Sequence, residues 1–150
     1  MPETMPSAVV ANMLDTQWNA ANVVEPTIVD VNASPNLMAS VNLRSGTSGP
    51  ADYLVIRNDT PGFQEIPIGN WTYGHRISRV VIEIGTMVNR QRLWDLVAEI
   101  RRIFHNRMHQ LTQYQRIQFK IFNESTDDRL NTWWGRVQVE LINSSVLLDV

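Results

Sequence analysis

The sequence contains no cysteine, which excludes disulfide bonds, thiolate metal sites and cysteine nucleophiles together. Long apolar runs are also missing, because no stretch approaches the roughly 18 residues of a membrane-spanning helix. The first residues, MPETMPSAVV, lack the basic and apolar regions of a secretory signal. We therefore expect an intracellular or particle-bound protein with no membrane partner.

Lysine is almost absent, since the chain has twelve arginines and only one lysine, Lys120. The net charge of -2 predicts no protein-wide attraction to DNA or to acidic membranes. Arginine favours planar, bidentate contacts with carboxylates and phosphates. With 150 residues, 43% of them hydrophobic and 19% charged, the chain is expected to form a single globular domain, 1–150.

Catalytic and cofactor motifs are missing as well. The sequence has no nucleophile elbow, no phosphate-binding P-loop and no dinucleotide-binding glycine pattern. His105 and His109 have the i, i+4 spacing of two metal ligands, but the sequence places no third ligand beside them. We expect no catalytic residues, no metal and no cofactor, and a small enzyme with an unrecognised site is the least favoured hypothesis.

The first third of the chain predicts one helix and two strands. Ser7 is expected to cap a helix that runs to about Trp18, because Val10, Met13, Leu14 and Trp18 then share one face. The β-branched stretch TIVDV (27–31) and the stretch DYLVIRND (52–59) predict strands, and residues 32–52 predict a long loop between them.

Residues 60–75, TPGFQEIPIGNWTYGH, predict a protruding hairpin arm. Prolines and glycines separate two short strand-like ends in this stretch. The arm carries Phe63, Trp71 and Tyr73, and aromatic side chains commonly anchor protein–protein contacts. These three residues are therefore candidates for contact with a neighbouring subunit or partner.

The stretch RISRVVIEIGTM (76–87) predicts a long strand with two different faces. Val80, Ile82 and Ile84 alternate with Arg79 and Glu83, so one face is expected to be buried and the other partly charged. We expect Arg79 and Glu83 to form salt bridges or to line a polar surface that a partner contacts.

The stretch NRQRLWDLVAEIRRIFH (89–105) predicts a long amphipathic helix, capped by Asn89. Its apolar stripe has regular helical spacing and consists of Leu93, Leu96, Val97, Ile100, Ile103 and Phe104. On the opposite face, i, i+3 pairs are expected between Arg92 and Asp95 and between Glu99 and Arg102. Arg101 and Arg102 are expected to remain free for a neighbouring subunit.

Two closing strands, 114–122 and 133–142, alternate apolar and polar residues around a polar turn. They are expected to pair antiparallel, in a register that the sequence does not give, with Arg116 and Lys120 near Arg136 and Glu140 on the outward faces. Ile121 is expected on the apolar face. The following segment, NSSVLLDV (143–150), predicts an apolar tail that leaves the domain. Its residues Val146, Leu147 and Leu148 are candidates for pairing with a neighbouring chain.

This order of elements predicts an α+β fold. It has one mostly antiparallel sheet, with an N-terminal helix and one long amphipathic helix packed on one face. The sequence RISRVVIEIGTM, followed directly by NRQRLWDLVAEIRRIFH and then by YQRIQFKIF and WWGRVQVELI, resembles the tail terminator proteins, also called tail completion or head–tail joining proteins, of long-tailed bacteriophages and related tailed viruses.

The resemblance implies a structural function. Subunits of that family form a ring, typically a hexamer, that caps the tail tube and joins it to the neck beneath the portal. It implies contacts with further copies of the chain, with the tail tube protein and with a neck or head-completion protein, in a virion assembled in the host cytoplasm. Viral DNA would pass through the lumen without specific binding.

A nucleic-acid-binding α+β module is the alternative hypothesis. The arm aromatics and Trp133–Trp134 would stack on bases, and the arginines Arg101, Arg102 and Arg107 would contact phosphates. The interleaved acids and the negative net charge argue against it. A steep salt dependence of DNA affinity would support this alternative.

Overall fold

The computed structural model describes residues 5–30, 52–59, 64–68, 73–106, 116–127 and 132–146. This part contains two helices and six strands, which confirms the predicted α+β class. The helices are α1 (Pro6–Gln17) and α2 (Arg90–Asn106). The strands are β1 (Thr27–Asp30), β2 (Asp52–Asn58), β3 (Gln64–Ile68), β4 (Tyr73–Thr86), β5 (Arg116–Asp127) and β6 (Thr132–Val146).

All six strands belong to one mixed sheet with the long strand β4 near its centre. The order is β1-β2-β4-β6-β5, and β3 pairs with the first part of β4. β1 and β2 run parallel, whereas the other described pairs are antiparallel. Along one side of β4, its first part pairs with β3 and its second part pairs with β2. Along the other side, β4 pairs with β6 over its whole length. Within the described sheet, β1 and β5 end the main strand order, and β3, which pairs only with β4, is a further edge strand.

The core lies between one face of this sheet and the two helices. Val80, Ile82 and Ile84 point into it as predicted, because successive side chains of a strand alternate between the faces. The α2 stripe is also buried as predicted, and α1 adds Val10 and Leu14. Each large apolar side chain buried here stabilises the fold by about 1.5–3 kcal/mol.

The two helices begin differently. Asn89 caps α2 as predicted, since its Oδ1 accepts a 2.7 Å hydrogen bond from the Arg92 backbone N–H. The prediction that Ser7 caps α1 is wrong, because α1 begins two residues earlier than predicted, at Pro6, and Met5 holds the N-cap position. Proline suits the first helical position. The Ser7 backbone N–H instead donates a hydrogen bond to Asn58 Oδ1 of β2, at 3.0 Å.

The arm prediction is confirmed in part, because β3 and residues 73–77 of β4 form an antiparallel hairpin. The connection between the two strands lies outside the described residues. Tyr73 and its neighbours in β4 also pair with the end of β6. The second strand of the hairpin is therefore an integral part of the sheet.

The end of β6 corrects the prediction of a tail that leaves the domain at residue 143. Residues 143–146 continue β6, and Val146 lies opposite Tyr73. The physical reason is the length of β4, which begins early enough to offer backbone partners to these residues. Residues 147–150 lie outside the description.

The closing hairpin is antiparallel as predicted but longer, since residues 123–127 belong to β5 and not to a turn. A β-bulge at Lys120 shifts the register, so that Phe119 pairs with Val139 and Ile121 with Gln138. The prediction that Ile121 shares the apolar face is therefore wrong. Ile121 is 47% exposed, and Phe122 packs against the core instead.

Two matched substitutions test this register. Ile117→Val is expected to lower the free energy of unfolding by about 0.5–1.5 kcal/mol, because Ile117 is fully buried. Ile121→Val removes the same methylene from an exposed side chain, and its effect should stay within about 0.5 kcal/mol. Urea unfolding measures both. Equal losses for the two variants would contradict the bulge.

Candidate functional site

The face of the sheet that carries no helix in the described residues is the first candidate site. Its polar side chains come from β2, the residue after it, and β4, β5 and β6. We call this surface the charged sheet face, and it consists of Arg57, Asp59, Arg79, Glu83, Lys120, Arg136, Gln138 and Glu140.

Strand alternation places these side chains together. Arg79 lies opposite Glu140, and Glu83 lies opposite Arg136, in the register of β4 and β6. Val80 and Ile82 point to the core, whereas Val81 between them shares the face of Arg79 and Glu83, because the side-chain period of a strand is two. The predicted polar face of β4 is thus one row of a surface that four consecutive strands build.

Glu83 and Glu140 each neutralise cations of neighbouring strands. Arg57 donates to Glu83 Oε1 at 2.9 Å from its Nη2 atom and at 3.3 Å from its Nε atom. Glu140 is almost fully buried and lies 3.6 Å from Arg79 Nε and 3.3 Å from Lys120 Nζ. The expectation that Arg79 and Glu83 form salt bridges is confirmed. Of the two cations expected near Arg136 and Glu140, Lys120 pairs with Glu140.

Asp59 provides the third carboxylate of this face. Its Oδ1 atom lies 3.7 Å from Arg136 Nη2, and its Oδ2 atom accepts a 3.1 Å hydrogen bond from Gln138 Nε2. The Asp59 backbone N–H donates to the Arg79 carbonyl at 2.9 Å, which fixes the position of this residue beside β4. Arg57, Arg79, Lys120 and Arg136 therefore each have a carboxylate partner. Arg116, which the register of β5 places on the same side of the sheet, has no ion-pair partner among the described residues.

An aromatic pair lies beside the charged sheet face. Tyr53 of β2 and Trp134 of β6 meet edge to face across Gly85, with ring centroids 5.9 Å apart. A Cβ atom on Gly85 would come within 2.8 Å of the Tyr53 ring, so this position favours glycine. Burial, reinforced by the negative charge of Glu83, raises the pKa of Tyr53 to about 12. Tyr53 is thus neutral at physiological pH.

The second candidate site is a groove of about 500 Å³ between α2 and the edge strand β5, which we call the edge groove. Trp94 and Phe122 form one wall, in an edge-to-face contact with ring centroids 5.3 Å apart. Arg101, Arg116 and Lys120 also line it. The residues that line the groove within the described part of the chain include basic and aromatic side chains but no acidic one.

Of the two ion pairs predicted within α2, only one forms. Arg92 does not pair with Asp95 but binds Asp52 Oδ2 at 2.7 Å and donates to the Val24 carbonyl at 2.6 Å. Arg102 does pair with Glu99, as predicted, but this pair is buried at the α1–α2 contact. Glu99 is only 3% exposed.

The prediction that Arg102 is free for a partner is wrong. Its Nε atom donates to both carboxylate oxygens of Glu99, at 3.0 and 3.1 Å, and its Nη2 atom donates to the Gln17 carbonyl. Burial opposes ionisation of Glu99, but the hydrogen bonds from Arg102 and from the Asn19 N–H outweigh it and lower the pKa of Glu99. Arg102 therefore holds the end of α1 against α2.

The other predicted contact residues fall into three groups. Arg79 and Glu83 lie on the charged sheet face, and Arg101 lies at the edge groove. Tyr73 and Val146 are paired at one end of the sheet, and their contact with a partner stays a prediction. The rest, Phe63, Trp71, Leu147 and Leu148, lie outside the described residues.

Sequence reasoning missed Arg57, Asp59 and the edge groove. The polar residues of β2 were visible as RND (57–59), but nothing in the sequence aligns β2 with β4. Lys120 carried one usable signal, since lysines and bulges are both features that protect edge strands from pairing with another chain.

Among the described residues, no cluster of three or more histidine and acidic side chains is arranged to hold a metal ion. Neither described helix has both the length and the apolar character needed to cross a membrane. A comparison with models of known protein families and a comparison with curated proteins both find no match.

Proposed function

We propose that this chain is a non-enzymatic structural subunit of a ring, with six copies as the expected number, that caps the tail tube of a tailed virus. The ring would join the tube to the neck and portal, and viral DNA would pass through its lumen. The charged sheet face is the observation that carries this proposal, because it is polar, extended and almost electrically balanced.

A surface along which DNA slides must be hydrated but must not bind the phosphates tightly. Phosphate binding is driven by cations that release counterions, so cations already neutralised by carboxylates contribute little. On the charged sheet face, Arg57 is bound by Glu83, Arg79 and Lys120 by Glu140, and Arg136 by Asp59. These four paired cations share three carboxylates, an arrangement that suits transient passage better than stable binding.

The edge groove is the observation that favours the alternative, a nucleic-acid-binding module. Exposed Trp94 offers a ring for stacking, and Arg101 and Arg116 offer charges for phosphate contacts. The groove is confined to one edge of the subunit, and Trp94 already packs against Phe122. We therefore assign the groove to a protein contact and keep DNA binding as the competing outcome of the test.

Mass photometry and negative-stain microscopy of the purified protein test the proposal. We expect particles several times heavier than the 17.2 kDa chain, about 103 kDa for a hexamer, which appear as rings with a central hole. A protein that is monomeric at all concentrations and does not bind tail tubes would overturn the proposal. Tight, salt-dependent binding of short DNA by such monomers would favour the alternative.

A further inference from the structure

We infer that consecutive subunits bind head to tail, through insertion of Val24 of one copy into the edge groove of the next. This inference rests on the proposed ring and specifies the surfaces that would build it. We call the inserting segment, Val23–Val24–Glu25, the valine knob.

The valine knob is an exposed apolar side chain on a fixed backbone. Val24 is 71% exposed, and Glu25 beside it is also exposed. Nevertheless the Trp18 indole N–H donates to the Val23 carbonyl at 2.9 Å, and Arg92 donates to the Val24 carbonyl at 2.6 Å. A contact residue that is already held in place loses little conformational entropy on binding, which favours association.

The edge groove complements this segment in chemistry. Its aromatic wall, Trp94 and Phe122, offers an apolar surface to a valine, and Trp94 is 46% exposed. Arg101 and Arg116 line the same groove, and within the described part of the chain neither has an ion-pair partner. The carboxylate of Glu25 would supply one. An apolar contact with a charged pair at its rim is a usual composition of a protein interface.

The two surfaces lie at opposite edges of the sheet. The valine knob lies just before β1, and the edge groove lies between α2 and β5. Four strand spacings, roughly 19 Å, separate β1 from β5 across the sheet. The fixed backbone keeps the knob at the β1 edge, so it is placed to enter the groove of another copy. Contact between different surfaces of two copies is heterologous, and it yields a closed ring when the rotation between copies closes.

The shape of the β5 edge favours insertion of a side chain from the second copy over addition of a strand from it. Among the described strands, β5 pairs only with β6, so its outer edge has the geometry to which a strand of another chain can add. The bulge places Lys120, the only lysine of the chain, in this edge. Bulges and lysines are the features by which natural sheets prevent strand addition at an edge.

A mixing experiment tests the inference. The knob variant Val24→Asn and the groove variant Arg101→Glu/Arg116→Glu are each expected to abolish the ring and run as monomers by mass photometry. Mixed in equal amounts, they should form a one-to-one dimer, because the intact groove of the first binds the intact knob of the second. Met5→Asn is the matched control at another exposed apolar residue, and it should retain the ring.

The outcomes separate this inference from the proposed function. Rings formed by both variants, or monomers alone in the mixture, would overturn the head-to-tail contact while leaving the ring of the unchanged protein intact. A monomeric unchanged protein would overturn the proposed ring itself. Circular dichroism of each variant establishes that lost assembly does not arise from unfolding.

Discussion

Arg102→Met is expected to lower the free energy of unfolding at pH 7 by about 3 kcal/mol. Removing one partner of a buried ion pair leaves the other charge uncompensated, which costs about 3–5 kcal/mol. The lower end applies because Arg102 is partly exposed, whereas Glu99 is not. For a domain of this size the loss corresponds to a decrease of roughly 6–12 °C in Tm. Urea and thermal unfolding of the two proteins measure it.

The same variant should change the pH dependence of stability. In the unchanged protein the pKa of Glu99 is lowered on folding, so its stabilising contribution is present above the ordinary carboxyl pKa and disappears as the pH falls through the lowered value. Without Arg102, burial dominates and raises the pKa of Glu99. Protonation then removes the buried charge, so the difference between the two proteins should shrink as the pH falls from 7 to about 4.

Arg90→Met is the matched control for this prediction. Arg90 lies on the same helix and makes a two-bond ion pair with Glu124, at 2.6 and 3.1 Å, but at the protein surface. Solvent screens such a pair, so Arg90→Met should lower the free energy of unfolding much less than Arg102→Met does. Equal losses for the two variants, or a pH-independent loss for Arg102→Met, would contradict the role assigned to Glu99.

Glu83→Gln/Glu140→Gln is expected to give the protein a clear affinity for duplex DNA. The substitutions remove the carboxylates that neutralise Arg57, Arg79 and Lys120, while the similar shape of glutamine preserves the sheet. If two additional phosphates are neutralised, the slope of log K against log salt becomes steeper by about 1.8. Affinity should then fall roughly tenfold more between 50 and 200 mM salt than it does for the unchanged protein. Fluorescence anisotropy with a short duplex measures both slopes.

Asp15→Asn/Asp95→Asn provides the charge-matched control. It makes the same change in net charge on the helices, away from the charged sheet face. We expect no comparable gain in DNA affinity from it. Equal gains for the two double variants would indicate that only net charge matters, and strong binding by the unchanged protein at 50 mM salt would contradict a neutralised face.

Periodicity was sufficient to predict much of the fold. The alternation of Val80, Ile82 and Ile84 identified the buried face of β4, and the stripe from Leu93 to Phe104 identified the buried face of α2. Both patterns are local, since the side-chain direction follows from residue spacing alone. The cap of α2 by Asn89 is equally local, and it was predicted for the same reason.

The features that were missed depend on residues distant in the chain. Glu99 is buried because Asn19, eighty residues earlier, and the end of α1 cover it. Residues 143–146 stay in the sheet because β4 begins at Tyr73, and Asp59 joins the charged sheet face only once β2 is aligned with β4. The bulge at Lys120 reverses the direction of Ile121, and strand alternation alone does not reveal it.

A cryo-electron microscopy map of the purified assembly would show which surface of the subunit lines the ring. We expect a ring with a central hole, in which the charged sheet face built by β2, β4, β5 and β6 lines the hole and α1 and α2 lie outside. A ring with its helices toward the hole, or a sample that contains monomers alone, would contradict the proposed function.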